Sequence, residues 1–570
     1  MIRTARIGLV LAAVLLWAGQ PAAQSPQGPL ASTLSTLAAG ADGYAADSAG
    51  MARSGRRIAS LEPTSSAAAA NRRLVIVGGL DGDTAVANAI VEYLQRSLGR
   101  GPLARWDVAA IPCARPEACD GGGGTSVPTA VFPPDGGFFN TKDDLEARYV
   151  WRWVAMQAPD LVIDVRAGAA SRAANAPARG LASDAGEAAP ASLAAALGDG
   201  APSGLAPVAA VQLTTPADGV SDALDALLAS AKALERSPLR REVASRLGRS
   251  PLDVARLLAP KYPAQPSISY IPGLAWSGAL RLAETTGEAR WREKPLADMA
   301  PWLNGTKPTI AEPFLLTSLA GMLAFSDLGA IDGNADAARL ATEAATFTLP
   351  EGGDAIVRFP RHWTDDMFMA TSILARAAAR GDDPRYAQAV ERLLTTYADE
   401  LQRADGLFVH AADAPHTWGR GNGFAAFGLM EALTWMPADW PARERIHAIY
   451  RRHMAAMALR QAADGTWRQV VDEPGSYREE TVTAMTLTAM ARGVRLGWLD
   501  AGTYRPVVDR AWAGLSARIA ADGALVDVCT GTGAGPTRDY YLDRAAIFGP
   551  DDRGGAMALT AALEMAALQR

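Results

Sequence analysis

The chain has 570 residues, of which 20% are charged and 49% are hydrophobic, and its formal net charge at pH 7 is -6. This length allows more than one domain, since a domain usually holds about 100 to 200 residues. The sequence contains no block of Lys and Arg, and neutralising the phosphates of a nucleic acid requires clustered basic side chains. Composition therefore favours a multidomain globular protein that does not bind nucleic acid.

The first residues have the pattern of a secretory signal. Arg3 and Arg6 precede an apolar run over residues 7–19, and small residues follow it. The run is shorter than the about 20 apolar residues that a membrane-spanning helix needs, and the pattern predicts a cleaved signal peptide. We assign the signal to residues 1–24 and expect a soluble protein, periplasmic or secreted, with no membrane anchor.

The chain has three cysteines, which are too few for a disulfide scaffold. Cys113 and Cys119 are close enough in sequence to close a small loop in an oxidising compartment. Cys529 is then expected to be a buried free thiol.

Composition divides the N-terminal half of the chain. Residues 25–70 are rich in Ala, Ser and Gly without an apolar period, which predicts a flexible leader. Residues 71–237 alternate strand and helix patterns, which favours an α/β domain with a parallel or mixed sheet. The clearest strand patterns cover residues 74–79 and 161–165, and the clearest helix patterns cover residues 85–98 and 144–157.

Helix patterns dominate the rest of the chain. Residues 238–265 are predicted as a helical connection, and residues 266–570 contain ten predicted helices separated by Gly, Pro or Asp turns. These helices are expected over residues 273–286, 312–327, 336–347, 366–380, 384–402, 424–435, 443–461, 479–496, 504–519 and 554–568. Successive antiparallel helix pairs over this length favour a closed six-hairpin (α/α)6 barrel over an open superhelix.

Two short motifs in this region combine carboxylates, histidines, an arginine and a tryptophan. The first is HWTDDMFM, residues 362–369, and the second is HTWGRGNGF, residues 416–424. Both fall at predicted helix starts, and the loops at one end of the inner helices form the pocket of such a ring. This mixture of side chains suits an anionic sugar.

Asp365, in the first motif, is the candidate acid. Trp363, Phe368 and Met369 are expected to make its pocket apolar, which raises the pKa of a carboxyl group and keeps a proton available. The residues alone favour the alternative, in which Asp365 only caps the helix, as Asp often does. Asp366 faces another direction on a helix and is expected to favour the helix N-terminus through the helix dipole.

The second motif supplies candidate substrate-binding residues. Arg420 is planar and always charged, which allows it to grip a carboxylate through two hydrogen bonds. Trp418 offers a flat face for a sugar ring, and Asn422 and Trp363 complete the expected set from the two motifs. The glycines beside Arg420 predict a tight backbone turn, with or without a ligand nearby.

Six segments resemble, in the same order, the unsaturated rhamnogalacturonyl hydrolases and the unsaturated glucuronyl hydrolases of glycoside hydrolase families 105 and 88. The resemblance covers residues 251–570. The matching segments are residues 363–369, 406–410, 418–423, 464–472, 477–485 and 528–532. Any one segment alone is a weak signal, and the shared order makes the resemblance specific.

The resemblance implies an enzyme that removes the unsaturated (4,5-ene) uronic acid from the non-reducing end of acidic oligosaccharides made by lyases, such as those of pectic rhamnogalacturonan. The implied reaction is hydration of a vinyl ether, in which an acid protonates C4, water adds at C5 and the hemiketal opens. Asp365 matches the catalytic aspartate, and His410 matches a substrate-contacting position. The family's other active-site aspartate has no counterpart in residues 309–313, where Glu312 is the expected substitute unless the position is lost at Ala311.

The first domain resembles, more faintly, the zinc carboxypeptidases and the succinylglutamate desuccinylase-like enzymes. The segments that carry this resemblance are residues 77–83, 132–140 and 163–168. That family binds zinc through a His-x-x-Glu pair and a later His, and the corresponding positions here hold Asp81, Thr84 and Arg166. A catalytic zinc site needs about three ligands, usually rich in imidazole. We expect a peptidase-like fold without a metal, which serves in binding or packing.

Three functions are compatible with these patterns. The first is the exported hydrolase of unsaturated uronyl oligosaccharides. The second is a glycosidase of saturated glucuronides on the same barrel, and the third is a carbohydrate-binding protein without catalysis. None of them needs a cofactor. The sequence does not specify the sugar that adjoins the uronate, and it does not specify the oligomeric state.

Overall fold

The computed structural model describes most of the chain. The described residues are 28–119, 130–134, 144–175, 186–199, 205–231, 234–381 and 383–570. The predicted signal peptide over residues 1–24 lies outside them and stays a prediction. In the described part, no helix has the length and the apolar character required to cross a bilayer.

A seven-stranded mixed sheet forms the centre of the first domain. Its strands are β1 (Tyr44–Met51), β2 (Arg57–Pro63), β3 (Arg72–Gly78), β4 (Trp106–Ile111), β5 (Leu161–Ala167), β6 (Arg172–Asn175) and β7 (Ala209–Thr215). The order across the sheet is β1-β2-β4-β3-β5-β7-β6. The four strands β4, β3, β5 and β7 are parallel, and the outer pairings are antiparallel. The predicted α/β domain with a mixed sheet is confirmed.

Successive residues of the central strands are buried on opposite faces of this sheet, as the two-residue period of a strand requires. On β3, Val75 and Val77 belong to one apolar cluster, and Leu74 and Ile76 belong to another. Helices cover both faces, which explains why the strand reads as a continuous apolar run. The helices of this domain are α1 (Pro29–Ala39), α2 (Thr84–Ser97), α3 (Pro116–Cys119), α4 (Leu145–Gln157), α5 (Leu193–Asp199) and α6 (Val220–Ser230).

The prediction of a flexible leader over residues 25–70 is wrong for the part that is described. Helix α1 and strands β1 and β2 lie in this stretch, and β1 and β2 form an antiparallel pair at one edge of the sheet. Ile58 and Leu61 of β2 are fully buried. The apolar residues are too sparse for a strand pattern, and the order comes from pairing with β4 and from contacts with the second domain.

The cysteines are arranged as predicted. Cys113 and Cys119 form a disulfide bond, and Cys529 is a buried free cysteine.

The second domain is built from helices, and the coarse prediction of an α/β domain followed by a helical domain is confirmed. Its helices and the helix that leads to it are α7 (Pro238–Leu247), α8 (Pro251–Leu258), α9 (Tyr270–Thr286), α10 (Glu293–Leu303), α11 (Leu316–Leu319), α12 (Leu323–Asp332), α13 (Ala335–Thr348), α14 (Thr364–Ala379), α15 (Pro384–Leu401), α16 (Gly419–Trp435), α17 (Arg443–Ala458), α18 (Glu480–Arg495), α19 (Ala501–Ala517), α20 (Arg538–Leu542) and α21 (Asp552–Leu568). Two small antiparallel ribbons accompany them, formed by β8 (Trp467–Arg468) with β9 (Arg478–Glu479) and by β10 (Leu525–Cys529) with β11 (Ala546–Gly549).

Six of these helices contact one another in a cyclic order. The order is α9, α12, α14, α16, α18 and α21, and α21 packs against α9 again. Helices α13, α15, α17 and α19 follow α12, α14, α16 and α18 along the chain and pack outside them, while α10 packs on α9 and α8 packs on α21. A single apolar core runs through this arrangement.

The predicted helical connection over residues 238–265 contains two helices, and each packs into a different domain. Leu239 and Val243 of α7 pack into a core cluster of the first domain, whereas Val254 and Leu258 of α8 pack into the core of the helical domain. The connection is therefore an integral part of the two domains. Helix α10 was not predicted, because Pro295 and Pro301 interrupt its helical pattern.

Candidate active site

The segments that resemble known hydrolases meet at one end of the helical ring. Helices α14, α16 and α18 begin there, each inside one of these segments. The backbone N–H of Thr364 donates to the carbonyl of His410 (3.0 Å), and the N–H of Gly419 donates to the carbonyl of Gln469 (2.7 Å). These bonds hold the loops before successive inner helices side by side, which brings residues from distant parts of the chain into one site.

Asp365 and His410, two of the expected site residues, contact each other. Nε2 of His410 lies 3.2 Å from Oδ2 of Asp365, and Nδ1 of His410 lies 2.8 Å from the hydroxyl of Tyr541. The side chain of His410 is fully buried, and that of Asp365 is 14% exposed. Asp365 is therefore the member of this group that a ligand at the ring mouth can reach.

The hydrogen bonds around His410 favour one arrangement of protons. The hydroxyl of Tyr541 accepts from the backbone N–H of Gly535 (3.0 Å), which leaves its own hydrogen free to donate to Nδ1 of His410. Nε2 of His410 then carries the ring proton and donates to the carboxylate of Asp365. In this arrangement every donor has an acceptor.

Asp366 has the structural role that was expected of it, with a different set of partners. Its Oδ2 accepts from the backbone N–H groups of Arg361 and His362 and from the hydroxyl of Tyr397, each at 2.8 Å. Burial raises the pKa of Asp366 to about 6, although these hydrogen bonds oppose the shift. The carboxyl group ties down the loop before α14, away from Asp365.

Trp363 lies beside the catalytic candidates. It precedes the first residue of α14 and pairs with Ala411 through an isolated β-bridge. Its ring centroid is 5.3 Å from that of His410, and the ring is partly exposed. The guanidinium of Arg361 lies 5.1 Å from its centroid. Trp363 is positioned as a wall of the candidate site, and its predicted contact with substrate stays a prediction.

The prediction that Trp418 stacks on a sugar is wrong. Trp418 is 1% exposed, and its ring centroid lies 4.5 Å from that of His410. The guanidinium of Arg420 lies 4.7 Å from the Trp418 ring centroid. The start of α16 is buried against α14 and α18, so the indole of Trp418 packs against the buried imidazole of His410 and does not face the cavity.

Arg420 is committed to backbone groups. Its terminal nitrogens donate to the carbonyls of Cys529 (2.8 Å) and Thr530 (2.6 Å), and only 2% of the residue is exposed. Burial favours the neutral form, but the surrounding groups outweigh it and raise the pKa of Arg420, so that the charge persists. The predicted bidentate hydrogen bonding of Arg420 to a uronate carboxylate is not observed. Arg420 instead hydrogen-bonds to the end of β10 and fixes the loop that follows it.

Asn422 is also engaged by the backbone, which makes its predicted contact with substrate wrong. Its Oδ1 accepts from the N–H of Phe408 (2.9 Å), and its Nδ2 donates to the carbonyls of Phe408 (2.9 Å) and Trp418 (3.0 Å). It is 1% exposed. Asn422 therefore positions the loop that carries His410.

The glycines of this motif lie inside α16, in contrast to the predicted turn. A Cβ on Gly419 would come within 2.6 Å of the carbonyl of Arg468, and one on Gly423 within 2.7 Å of the sulfur of Met485. Close packing of α16 on its neighbours, and not an unusual backbone angle, requires glycine there.

Glu312 lies in an exposed segment between α10 and α11. This segment leads into the inner part of the ring, which is compatible with a place near the mouth. Its predicted role as the substitute for a second acidic residue stays a prediction.

Tyr270 and Arg553 belong to the site, and the sequence interpretation missed both. Tyr270 is the first residue of α9, and its ring centroid is 5.6 Å from that of Phe424. Arg553 donates to the carbonyl of Cys529 (3.1 Å), which Arg420 also contacts. Burial raises the pKa of Tyr270, and the charge of Asp365 adds to the shift. Their positions at the starts of the first and last inner helices were the available signal, because the ring brings the two ends of the domain together.

A separate cavity of about 450 Å³ lies at the opposite end of the ring. Its charged groups pair with one another: Arg376 donates to Asp327 (2.8 Å), and Arg492 donates to Glu564 (2.7 Å). Buried charges paired in this way hold the helix ends together. We therefore place the chemistry at the mouth that contains Asp365.

The sequence profile of Glycosyl Hydrolase Family 88 matches residues 253–569. This match covers more than half of the chain and includes every segment described above as part of the site. The chain belongs to glycosyl hydrolase family 88. The family 88 domain corresponds to the helical ring from α8 to α21.

Individual relatives of the family 88 domain are distant. The chain is 27% identical over 175 residues to the unsaturated 3S-rhamnoglycuronyl hydrolase of Alteromonas sp. (strain LOR), covering 29% of this chain and 42% of that protein. It is 26% identical over 192 residues to the unsaturated rhamnogalacturonyl hydrolase YesR of Bacillus subtilis (strain 168), covering 32% of this chain and 54% of that protein. The alignments thus span about half of the length of these curated relatives.

Among solved structures, a family 105 glycoside hydrolase of C. acetobutylicum ATCC 824 superposes with a TM-score of 0.50 at 18% identity. The superposition covers 55% of this chain and 99% of that structure. This similarity shows a shared fold for the helical domain.

Proposed function

We propose that this family 88 member removes a 4,5-unsaturated uronic acid from the non-reducing end of acidic oligosaccharides. The observation that carries the proposal is the contact between Asp365 and His410 at the mouth of the ring, with only Asp365 accessible from outside. The names of the relatives, unsaturated rhamnoglycuronyl and rhamnogalacturonyl hydrolases, support the same substrate class. The substrate that we favour is an oligosaccharide that a lyase releases from pectic rhamnogalacturonan.

In the proposed mechanism, Asp365 supplies the proton that adds to C4 of the unsaturated ring. The resulting carboxylate is stabilised by the Nε2–H of His410, and it then accepts a proton from the water that adds at C5. The hemiketal formed at C5 opens and releases the remaining sugar. One acid–base residue serves both steps, and general acid–base catalysis of this kind contributes about 10²- to 10⁴-fold to a rate.

We further propose that the helical domain is the six-hairpin (α/α)6 barrel. The cyclic contact order of the six inner helices and the outer position of the helices between them support this architecture. In such a barrel all inner helices start at the same end. The N-termini of all six inner helices would then surround one substrate-binding mouth.

Export to the periplasm or the medium is also proposed. The signal-like N-terminus and the disulfide between Cys113 and Cys119 support it, because disulfides persist mainly in oxidising compartments. N-terminal sequencing of the protein from a periplasmic fraction tests it: a mature start near residue 25 supports export, and a start at Met1 in the cytosol contradicts it.

The activity is tested by following the ultraviolet absorbance of the conjugated uronate in lyase-generated oligosaccharides. We expect the absorbance to fall with the wild-type protein and to persist with Asp365→Asn. Pectic, ulvan-type and glycosaminoglycan-type products are compared in parallel to define the adjoining sugar. Unchanged absorbance with all three, while saturated glucuronides are cleaved or merely bound, would contradict the proposal.

A further inference from the structure

Charged residues of the first domain hold a ribbon of the second domain. Asp47, on β1, accepts hydrogen bonds from Arg468 of β8, from Arg478 of β9 (3.0 Å) and from the backbone N–H of Ala463 (3.0 Å). Glu62, on β2, accepts from Arg478 (2.7 Å). The β1–β2 edge of the sheet therefore grips both strands of the β8–β9 ribbon.

This contact is buried and fully charged. Arg468 is 4% exposed, Arg478 is 8% exposed, and the side chain of Asp47 is 12% exposed. Burial opposes ionisation of Asp47, but the two arginines outweigh it and hold the pKa of this carboxyl below its usual value. Separating Asp47 from either arginine would leave an uncompensated buried charge, which is costly. The three side chains are therefore held in one geometry.

The ribbon leads directly to the site. Gln469 follows Arg468, and its carbonyl accepts the N–H of Gly419 at the start of α16 (2.7 Å). The side-chain nitrogen of Gln469 donates to the carbonyl of Tyr541 (3.1 Å), and Gln469 is fully buried. A shift of the ribbon therefore moves the backbone of Tyr541.

Tyr541 transmits the position to the acid–base pair. Its hydroxyl lies 2.8 Å from Nδ1 of His410, whose other nitrogen lies 3.2 Å from Asp365. A continuous series of hydrogen bonds and covalent bonds thus runs from Asp47 in the first domain to Asp365 in the ring.

We infer that the first domain positions the active site of the second, and that Asp47 is the positioning residue through which it acts. The domain sets the place of Tyr541 and so the orientation of His410 towards Asp365. The kinetic consequence rests on the proposed function. In this role the first domain needs neither a metal nor a ligand of its own.

The test compares Asp47→Asn with Asp160→Asn in the full-length protein. Asp160 is a matched control, because its carboxylate also accepts two backbone N–H groups, from Arg73 (2.9 Å) and Ser237 (2.8 Å), and also pairs with a buried arginine, Arg240 (3.4 Å). Asp160 lies within the first domain and does not contact the ribbon. We expect both variants to lower the Tm, and only Asp47→Asn to lower kcat, roughly 10- to 100-fold.

A second readout needs no substrate. The chain has five histidines, so the ring nitrogens of His410 can be followed by NMR in histidine-labelled protein, with His410→Gln providing the assignment. We expect the His410 nitrogen signals to shift in Asp47→Asn and to match wild type in Asp160→Asn. Asp47→Glu, which keeps the charge, should restore most of the wild-type signal.

The two readouts separate two failures. If wild type shows no turnover but the His410 signals shift only in Asp47→Asn, the positioning role holds and the proposed function fails. If the His410 signals and kcat of Asp47→Asn equal those of Asp160→Asn, Asp47 is merely structural and the inference is overturned. Arg468→Lys carries the same comparison if Asp47→Asn does not fold.

Discussion

Asp365 and Asp366 are neighbours in the chain, yet their carboxyl groups have separate partners. Asp365 meets the imidazole of His410 at 3.2 Å, whereas Asp366 accepts two backbone N–H groups and the hydroxyl of Tyr397. Consecutive residues of a helix point about 100° apart. One carboxyl is thereby free for chemistry while the other anchors the loop before it.

Asp365→Asn should abolish most turnover without unfolding the protein. The amide cannot supply or take up the proton, and the loss of a general acid–base group costs about 10²- to 10⁴-fold in rate. Steady-state absorbance assays give kcat, and thermal unfolding gives the Tm. A variant with wild-type kcat would remove Asp365 from the reaction.

Asp366 should make stability depend on pH. Burial raises the pKa of Asp366 from 3.8 to about 6 in the folded state, so the folded protein binds this proton more tightly than the unfolded chain does. The tighter proton binding stabilises the folded protein fully below pH 4, and this stabilisation is lost as the pH rises through about 6. Its size is roughly 3 kcal/mol, at about 1.4 kcal/mol per unit of pKa difference between the two states.

Denaturant unfolding of wild type and Asp366→Asn at pH 4, 5, 6 and 7 measures this effect. The free energy of unfolding of wild type should fall relative to that of the variant across this window. Parallel pH dependences in the two proteins would show that Asp366 does not titrate there.

Tyr541→Phe should lower kcat roughly 10-fold, because the hydroxyl that orients Nδ1 of His410 is lost and misplacement of catalytic groups is costly. Tyr540→Phe is the matched control. The hydroxyl of Tyr540 also accepts a loop N–H, from Gly533 (3.1 Å), and the His410 contact belongs to its neighbour. Equal kcat values in the two variants would contradict a role for Tyr541 in orienting the imidazole.

The two tryptophans near His410 should respond differently to substitution by Phe. Trp418 is buried, so Trp418→Phe leaves a cavity and should destabilise the protein by about 1 to 3 kcal/mol with little change in KM. Trp363 is partly exposed at the mouth, so Trp363→Phe should raise KM with little change in Tm. A large rise in KM for Trp418→Phe at unchanged Tm would restore the stacking role that the sequence suggested.

Arg376→Met should destabilise the ring at the end remote from the site. Asp327 and Glu431 would lose their shared buried partner, and breaking a buried ion pair from one side costs about 3 to 5 kcal/mol. We expect a lower midpoint of urea unfolding and an unchanged kcat in the remaining folded protein. A selective loss of kcat would place chemistry in the cavity at that end.

Sequence reasoning identified the members of the site better than their roles. Asp365, Trp363 and His410 lie together, because Trp363 and Asp365 fall at the start of α14 and the loop that carries His410 bonds to the backbone of Thr364. Trp418 and Asn422 were expected to touch substrate, but they are buried. A motif shows which residue types occur near a site, and it does not show which of them face the cavity and which support its floor.

The sequence by itself determined the alternation of strand and helix in the first domain, the run of helices in the second and the candidate acid, since these depend on local periodicity and on short motifs. Only the tertiary structure decided that β1 and β2 are ordered, that Arg420 and Arg553 both donate to the end of β10, and that Tyr270 lies within reach of the charge of Asp365. Those features depend on contacts between residues far apart in the chain. Local propensity carries no information about such contacts, and closure of the helical ring and packing of the two domains create them.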